Sequence, residues 1–470
     1  MSTTTSEFNP LASLNRSTGI HSATGQASAA GSGEPAPITE PYALFVYQNL
    51  EIDAQGRRWT VPAWAKDLAL HLDYITDLTL VSPARRVETR SPETVSLDEP
   101  PFDRIQFIDL PFPVGWGQAI RTMPLQVRTF WRAMSGAAVV HCGYAGWPFV
   151  HATLAVPMAR LRGKFILANV ESSFWRATTA SRWSGRLRGA FSEWLVRQTI
   201  PMADLKILTS KRYLEELLPP GAPGAYVTPA TWLNEEWLIS DEEAASAWER
   251  KTGPIRLLFV GRLIPEKGVS QLIAATEAAV RAGADIRLTI LHPRHETAWK
   301  NEYLASARAL GPEVVTILDE IPYGDESMRL IREFDAVMVP SLSDEQPRII
   351  YDAFSQAVPI LGSATGGIRE LAQEGVSARL TPPGDVPALT ELILWAASNR
   401  PALHEMGRRG RASVQNATHK EMHRHRHRLL REAIDARRPR ASERPGIPAE
   451  DRSNASGMAS VSAAASGSAS

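Results

Sequence analysis

Two segments of the C-terminal half carry glycines and charged residues at spacings that could bind a nucleotide sugar. The first, LLFVGRLIPEKG, places Gly261, Arg262 and Lys267 directly after an apolar run. A helix start offers free N–H groups, an arginine can bind two phosphate oxygens and a lysine adds a point charge. The segment predicts a diphosphate site. Taken alone, it is equally typical of an ordinary strand–turn–helix with solvated cations.

The second segment, VPSLSDEQPRIIYDAF, carries carboxylates at fixed spacing. Asp344 and Asp352 are eight residues apart, and Glu345 lies beside the first. If a helix starts near Pro347, Asp344 lies in the preceding loop and Asp352 more than one turn inside. A loop carboxylate could hold sugar hydroxyls, and a helical one a ribose diol. The alternatives are that Asp344 caps the helix and that Asp352 is solvated or pairs with Arg348.

A third loop follows the next predicted strand and contains Thr365, Gly366 and Gly367. Consecutive glycines at a strand–helix junction can supply N–H groups to an anion, although a tight turn with Thr365 as N-cap is the simpler interpretation. Three such loops together are stronger evidence, because a parallel sheet brings the carboxyl ends of its strands to one edge.

The elements that must position these loops are apolar runs alternating with amphipathic ones. This pattern predicts an α/β protein with two doubly wound, Rossmann-like domains that meet near residues 233–253. Strands are predicted at residues 43–47, 78–81, 105–108, 138–141, 165–169 and 205–209, and at 255–260, 286–291, 314–318, 336–339, 359–362 and 378–380. Residues 1–40 and 439–470 are rich in Ser, Ala and Gly, and we expect both to be disordered.

Composition excludes several classes of function. The chain has 470 residues, with 51 Lys and Arg against 51 Asp and Glu, so no net charge attracts nucleic acid. Its one cysteine forms no internal disulfide and favours a reducing compartment. We see no signal peptide and no apolar stretch long enough to span a membrane, and we expect a cytoplasmic protein that can lie on a membrane surface.

In their order along the chain, these motifs resemble the retaining GT-B glycosyltransferases of family 4. The match covers residues 255–400 and reads Gly-Arg-x4-Lys-Gly, Pro-Ser-x2-acid-x7-acid-Ala and Gly-Gly-x2-Glu. The resemblance implies an acceptor domain at 41–235 and a nucleotide-sugar domain at 236–415, facing each other across a cleft. It also implies that a helix at 416–438 crosses back to the first domain.

The resemblance also implies roles for individual residues. Arg262 and Lys267 would bind the diphosphate. Asp344 would face the donor sugar, Asp352 would hold the ribose, and Tyr323 would pack against the base.

Glycines and a histidine complete the implied site. Gly366 and Gly367 would line the sugar-phosphate region. His141 ends a buried strand where the family often has a functional histidine, so we expect it to contact the transferred sugar. The alternative is a buried histidine with one satisfied nitrogen.

Two departures from the family pattern stand out. The family usually has Glu at both acidic positions, where this chain has Asp344 and Asp352, and Glu345 is an alternative for the first role. The loop after the first strand usually carries two glycines. Here it reads QNLEIDAQGRR, in which Gly56 is the one glycine and would take the nucleotide-sugar-binding role that the resemblance implies for this loop.

Residues 175–197 form a basic, aromatic segment with five arginines and one glutamate. Trp183, Leu187, Phe191 and Trp194 fall at helical spacing, which suits an anionic membrane surface and a lipid-linked acceptor. The alternative is a stripe that faces the core.

His419, His423 and His427 share one face of the last predicted helix and could form a metal ladder or a pH-sensitive contact. Because arginines crowd this helix, we expect an exposed helix that binds no metal. No metal or cofactor is expected elsewhere, since the two cations could neutralise the diphosphate.

The leading hypothesis is a retaining, metal-independent hexosyltransferase. It would move a hexose from a nucleotide-diphosphate sugar to a saccharide or lipid-linked acceptor of a surface polysaccharide or glycolipid. The alternative is a non-catalytic GT-B homologue that binds a nucleotide sugar or scaffolds a complex. A nicotinamide dehydrogenase is disfavoured, since no Gly-x-Gly-x-x-Gly follows the first strand.

Overall fold

The structure is a computed structural model that describes residues 34–437, apart from residues 49, 92–93, 113–114, 147–148, 173–182, 229, 294–296 and 345. The expected disorder of residues 1–33 and 439–470 concerns parts of the chain outside these ranges. The described residues form two α/β domains, each built on its own sheet.

The strands of the first sheet are β1 Tyr42–Phe45, β2 Leu50–Ile52, β3 Arg58–Thr60, β4 Leu78–Arg86, β5 Val95–Ser96, β6 Gln106–Leu110, β7 Val139–Gly143, β8 Phe165–Val170, β9 Leu205–Leu208 and β10 Ala225–Val227. The second sheet contains β11 Ile255–Val260, β12 Ile286–Leu291, β13 Val315–Leu318, β14 Ala336–Val339, β15 Ile360–Ser363 and β16 Ala378–Thr381.

The helices of the first domain are α1 Pro62–Leu72, α2 Trp116–Gly136, α3 Ala152–Leu161, α4 Trp183–Thr199 and α5 Lys211–Leu217. Those that follow are α6 Asp241–Glu249, α7 Val269–Arg281, α8 Lys300–Arg308, α9 Asp325–Arg332, α10 Ile349–Ser355, α11 Gly366–Leu371, α12 Val386–Ser398, α13 Arg400–Ser413 and α14 His419–Arg437. No helix within the described ranges is long and apolar enough to cross a bilayer.

Both sheets are doubly wound. The second runs β13-β12-β11-β14-β15-β16 and is parallel throughout, so its strand order reverses between β11 and β14. The first contains the parallel series β10-β9-β8-β7-β1-β4, with β6 beside β4, and reverses between β1 and β7. Ligands of such sheets bind at the carboxyl ends of the strands, where the order reverses.

Apolar strands with a core on each face explain this architecture. One cluster in the first domain joins the sheet to α2 and α3, and another joins it to α1. The second cluster also takes Leu429, Leu430 and Ile434 from α14, so the last helix packs on the first domain. Two further clusters flank the second sheet.

The short strands β2, β3 and β5 were not predicted. β2 pairs in parallel with the end of β4, while β3 and β5 continue the sheet with antiparallel pairings, and Gly56 lies in the β2–β3 turn. Its φ of 83° is the left-handed conformation that such a turn requires. The structure gives Gly56 a role in the turn and does not bring it to the residues that line the first-domain cavity described below.

The predicted N-terminal disordered tail extends too far. Ile38 is fully buried and bridges to Ile75, and Glu40 forms a salt bridge of 3.0 Å with Arg431 of α14. Residues 34–40 are therefore part of the first domain, because one apolar side chain and one carboxylate find partners there.

We predict that Gly268→Ala destabilises the protein by about 2–4 kcal/mol. Gly268 has a φ of 68°, and a Cβ there would overlap the carbonyl oxygen of Pro340. Gly283→Ala is the matched control, because Gly283 has a φ of 91° with open space around its Cβ position. Chemical denaturation should show a loss of only about 1 kcal/mol for the control. Equal losses would exclude the backbone contact as the cause.

Candidate functional site

The first loop of the candidate site leaves β11 at the point where the second sheet reverses. The N–H of Gly261 donates to the Leu291 carbonyl, which prolongs the pairing with β12 by one residue. Arg262 follows with an exposed side chain. A short 3-10 turn, Pro265–Lys267, then leads into α7. Arg262, one of the two predicted phosphate-binding cations, is therefore exposed at the carboxyl edge of the sheet.

Lys267 and Asp344 meet across the gap between β11 and β14. Lys267 Nζ lies 2.5 Å from Asp344 Oδ2, and both side chains are half-buried. Ser341 donates a hydrogen bond of 3.0 Å to the same carboxylate oxygen. The backbone holds the two loops together, since the Leu342 N–H donates to the Glu266 carbonyl over 2.9 Å. One cation and one carboxylate thus contact each other, and the loop that carries the cation also carries the exposed Arg262.

Asp344 lies in the loop before α10, as the sequence indicated, but it does not cap that helix. The residue at the helix N-cap is Arg348, which makes no side-chain capping bond. The capping alternative is therefore wrong, because the carboxylate bonds Lys267 and Ser341 instead. Glu345, the alternative acid, lies outside the described residues.

Asp352 is buried in α10, with 6% of its surface exposed, so the solvated alternative is wrong. It accepts a hydrogen bond of 2.8 Å from the Tyr323 hydroxyl. Burial raises the pKa of Asp352 to about 7, although the Tyr323 bond and the charge of Arg348 act in the opposite direction. The structure thus brings together the two residues assigned to the base and the ribose.

The third loop places Gly366 and Gly367 at the start of α11. Thr365 caps this helix by accepting from the Ile368 N–H, as the simpler interpretation held. Its hydroxyl also lies 3.5 Å from the Asp344 carbonyl. The loop is therefore adjacent to the carboxylate segment.

Two side chains of the second domain reach the first domain. The Glu370 carboxylate accepts from the N–H groups of Lys211 and Arg212, at 3.0 and 3.1 Å, at the start of α5. Gln346 donates to the Thr209 carbonyl over 3.1 Å and accepts from the Ala230 N–H over 3.2 Å. These bonds hold the domains in contact beside the candidate site.

A cavity of about 160 Å³ opens at the reversal point of the first sheet, and His141 lines it. His141 Nδ1 lies 2.9 Å from the Tyr42 hydroxyl, and burial holds the pKa of the imidazole well below its usual value. Trp232 and Arg426 close other sides. No described residue of the three donor-side loops lines this cavity, so His141 stands apart from Lys267 and Asp344.

The histidines of α14 are buried, contrary to expectation. His419, His423 and His427 are each less than 9% exposed, because their helix packs against α1. His419 Nε2 and His423 Nε2 lie 2.9 and 3.1 Å from the same oxygen of Asp67, while His427 bonds the Ala36 carbonyl.

His71 completes this group, with Nδ1 at 3.4 Å from the other carboxylate oxygen of Asp67. We refer to Asp67, His71, His419 and His423 as the Asp67 cluster. Ligand atoms of Asp67, His71 and His423 all lie within 4.8 Å of one another, so this group could hold a metal ion. Three members, Asp67, His71 and His419, also line the cavity.

Sequence reasoning noticed His419 and His423 but missed Asp67, His71 and Arg426. The available signal was a second pair one turn apart, Asp67 and His71 on α1, which mirrors His419 and His423 on α14. Nothing in the sequence indicated that these two helices meet.

Residues 175–182 of the basic segment lie outside the described part, and the remainder belongs to α4. Leu187, Phe191 and Trp194 are 60%, 57% and 54% exposed, so the core-facing alternative is wrong for these side chains. The Phe191 and Trp194 rings stack at 5.9 Å.

Comparison with known proteins agrees with this geometry. Residues 240–413 match the family model described as "Glycosyl transferases group 1". The matched region contains the β11, β14 and β15 loops.

Two curated proteins are similar to this chain in sequence. The chain is 29% identical over 255 residues to glycogen synthase of Mycobacterium tuberculosis, an alignment that covers 52% of this chain and 57% of that protein. It is 24% identical over 289 residues to alpha-D-kanosaminyltransferase of Streptomyces kanamyceticus, covering 59% and 72%. The chain thus spans little more than half of the glycogen synthase that it matches.

Solved structures resemble the whole two-domain arrangement. Sucrose-phosphate synthase of Thermosynechococcus elongatus superposes with a TM-score of 0.62 at 18% identity, covering 84% of this chain and 100% of that one. HepE of Anabaena, solved in complex with UDP and glucose, gives 0.57 at 13% identity with the same coverage. The fold is therefore GT-B, the fold of a large class of glycosyltransferases.

The buried carboxyl of Asp352 should make stability depend on pH. Because its folded pKa of about 7 lies above its ordinary value, its stabilising contribution is present at low pH and is lost as the pH rises through about 7. We predict that Asp352→Asn gains stability relative to the wild type as the pH rises from about 5 to about 8, by at most about 1.4 kcal/mol per pH unit.

Urea denaturation at several pH values measures this difference. Tyr323→Phe is the companion variant, since losing its hydrogen bond should move the wild-type dependence to higher pH. A constant difference between Asp352→Asn and the wild type would show that Asp352 is ionised throughout this range.

Proposed function

We propose that this protein is a retaining, metal-independent glycosyltransferase of family 4. It moves a hexose from a nucleotide-diphosphate sugar to a saccharide or lipid-linked acceptor in the synthesis of a surface polysaccharide or glycolipid. The observation that carries the proposal is the contact between Lys267 and Asp344 beside the exposed Arg262, at the reversal point of a parallel sheet.

The groups of a nucleotide-sugar donor are complementary to the residues of the three donor-side loops and to Tyr323. Arg262 and Lys267 neutralise the diphosphate, and the N–H groups of Gly366 and Gly367 face its sugar end. Tyr323 packs against the base, while Asp352 accepts from the ribose hydroxyls in place of the Tyr323 hydroxyl. The bound state of HepE, with UDP and glucose, supports a donor of this class.

Transfer breaks the bond between the anomeric carbon and the diphosphate oxygen. The acceptor oxygen bonds to the same face of that carbon, and its proton passes to the leaving phosphate oxygen. The two cations stabilise the charge that develops on the diphosphate, and Asp344 orients the donor sugar. No metal takes part, because the cations perform that role.

The cavity that contains His141 lies on the acceptor side. Its walls include the polar side chains of Asn169 and Glu171 and the aromatic side chain of Trp232. Both polar and aromatic groups suit a saccharide ring. The name of a further relative, an amylovoran biosynthesis glycosyltransferase of Erwinia amylovora, supports a polysaccharide product.

A panel of UDP, GDP, ADP and their common sugar conjugates tests the donor site by thermal shift. We expect one nucleotide to raise the melting temperature of the wild type but not of Arg262→Ala. Arg287→Ala is the matched control. Arg287 is exposed near the start of β12, whereas the candidate site lies at the carboxyl ends of the strands of the same sheet, so this variant should keep the full thermal shift.

Transfer assays with the nucleotide sugar identified in this way separate catalysis from binding. Arg262→Ala should lower kcat by about 100-fold, and Asp344→Ala should abolish turnover. The wild type could instead bind the donor but neither hydrolyse nor transfer it when membrane extract supplies the acceptor. That result would support the non-catalytic homologue. A thermal shift that survives in Arg262→Ala would refute the diphosphate assignment.

The exposed face of α4 supports a location at the cytoplasmic face of a membrane. Leu187, Phe191 and Trp194 form an apolar surface there, and Arg186 and Arg188 lie on the same helix. Exposed apolar and basic side chains on one helix suit an anionic bilayer. This location would bring a lipid-linked acceptor to the first domain.

We predict that the protein floats with vesicles containing anionic lipid and that salt weakens this binding. Phe191→Asp combined with Trp194→Asp should abolish flotation, because the charges oppose insertion. Trp299→Asp, at an exposed tryptophan of the second domain, is the control and should float as the wild type does. Equal flotation of all three proteins would assign membrane binding to another surface.

A further inference from the structure

The Asp67 cluster joins two helices that lie far apart in the sequence. Asp67 and His71 are one turn apart on α1, and His419 and His423 are one turn apart on α14. A pair spaced in this way places both side chains on one face of its helix. The two faces meet, so three imidazoles surround one carboxylate.

We propose that the Asp67 cluster binds one zinc ion, which fastens α14 to the first domain. This inference does not depend on the proposed function, and it places the ion away from the diphosphate loops. It accordingly leaves the metal-independent transfer step unchanged.

The distances within the cluster suit a tetrahedral ion. Zinc binds imidazole nitrogen and carboxylate oxygen at about 2.0–2.2 Å, which separates two ligands of a tetrahedron by about 3.4 Å. The nitrogens of His419, His423 and His71 lie 2.9, 3.1 and 3.4 Å from the nearer Asp67 oxygen. Ligand atoms of Asp67, His71 and His423 all lie within 4.8 Å of one another, so small side-chain movements would bring these three to the separations of a zinc site.

The chemistry of the ligand set favours zinc. Imidazole suits zinc and its neighbours in the transition series, whereas calcium and magnesium prefer oxygen ligands alone. His419, whose Nε2 lies 2.9 Å from Asp67 Oδ1, would be the fourth ligand, and four protein ligands are the arrangement of a structural site. His71, His419 and His423 are all at least 95% buried, unlike the exposed acidic groups that often lie together without a metal.

The protonation states are those that a metal requires. Burial lowers the pKa of His423 to about 3 and lowers that of His419, so both rings are neutral. Burial opposes ionisation of Asp67, but hydrogen bonds from the two histidines hold its pKa well below the usual value.

Contacts around the cluster orient its rings. The Tyr74 hydroxyl lies 3.4 Å from His423 Nδ1. His71 Nδ1 also bonds the Asp67 backbone carbonyl over 2.9 Å, and zinc ligation through this nitrogen would replace that bond. An outer hydrogen bond such as that between Tyr74 and His423 commonly fixes the ring of a ligating histidine. His419 stacks on Trp232, and its Nδ1 is a buried atom without a partner among the described residues.

Two cations face the cluster and must be compatible with the ion. Arg426 pairs with Glu171 at 3.3 Å, which offsets its charge. Lys66 directs its ammonium group to the Trp232 carbonyl, at 3.1 Å. Neither cation bonds Asp67 in the described structure, so neither occupies the place of the zinc ion.

The test uses the untagged full chain, freed of metal by chelation and dialysis. We expect it to take up one equivalent of zinc that survives dialysis, and zinc to raise its melting temperature. Asp67→Asn and His423→Gln should each weaken zinc binding at least tenfold. His427→Gln is the matched control, since His427 lies one turn further along α14 and bonds the Ala36 carbonyl instead.

A second measurement does not depend on the folding of the variants. Cobalt added to the metal-free wild type should give the visible absorption of a tetrahedral nitrogen–oxygen site, and zinc should abolish it. The proposal fails if the wild type retains no zinc and unfolds at the same temperature with or without it. It also fails if both cluster variants bind zinc as tightly as the control, in which case the histidines serve only as hydrogen-bond donors to Asp67.

Discussion

The parallel pairing of β11 with β14 is the constraint on which the candidate donor site depends. The register that sets Phe259 opposite Met338 makes both strands end at the same level of the sheet. The two following loops then lie side by side, with Gly268 against the carbonyl of Pro340. Only this approach allows Lys267 to reach Asp344, which is 77 residues further along the chain. The chemistry of the site is therefore a consequence of strand register as well as of residue type.

A similar constraint operates in the first domain through a buried charge. Removing a carboxylate from water costs several kcal/mol unless hydrogen bonds or opposite charges replace the lost solvent. Asp67 obtains these partners from α14, whose own sequence is too polar to make an apolar contact along its whole length. The apolar contacts of Leu429, Leu430 and Ile434 lie further along the same helix. Polar bonds thus fix one half of α14, and apolar packing fixes the other.

The sequence predicted the parts of the structure that depend on local pattern. The strands Ile255–Val260, Ile286–Leu291 and Ala336–Val339 agree with prediction to the residue, because each is an apolar run with clear breaks on both sides. The strands Leu50–Ile52 and Arg58–Thr60 were missed, since they are three residues long and contain charged residues. Short strands of this kind gain their stability from pairing with a neighbour, which no local pattern reveals.

The site residues also divide into those that a local sequence pattern reveals and those that only tertiary contacts reveal. Arg262, Lys267 and Asp344 could be selected from their own segments, but the bond between Tyr323 and Asp352 could not, because it joins side chains 29 residues apart. The histidines of α14 were assigned to an exposed helix because arginines surround them. Their burial depends on a carboxylate some 350 residues away, on a helix whose position only the tertiary structure defines.

The contacts between the domains connect the two halves of the candidate site. Glu370 follows the glycines of the third loop and bonds the start of α5, while Gln346 follows Asp344 and bonds the segment before Trp232. Two of the three donor-side loops therefore carry, a few residues from their candidate ligand groups, a side chain that reaches the first domain. Because Trp232 stacks on His419, the same contacts continue into the cavity and the last helix. Hydrogen bonds and one stacked pair thus connect the donor loops to the cavity.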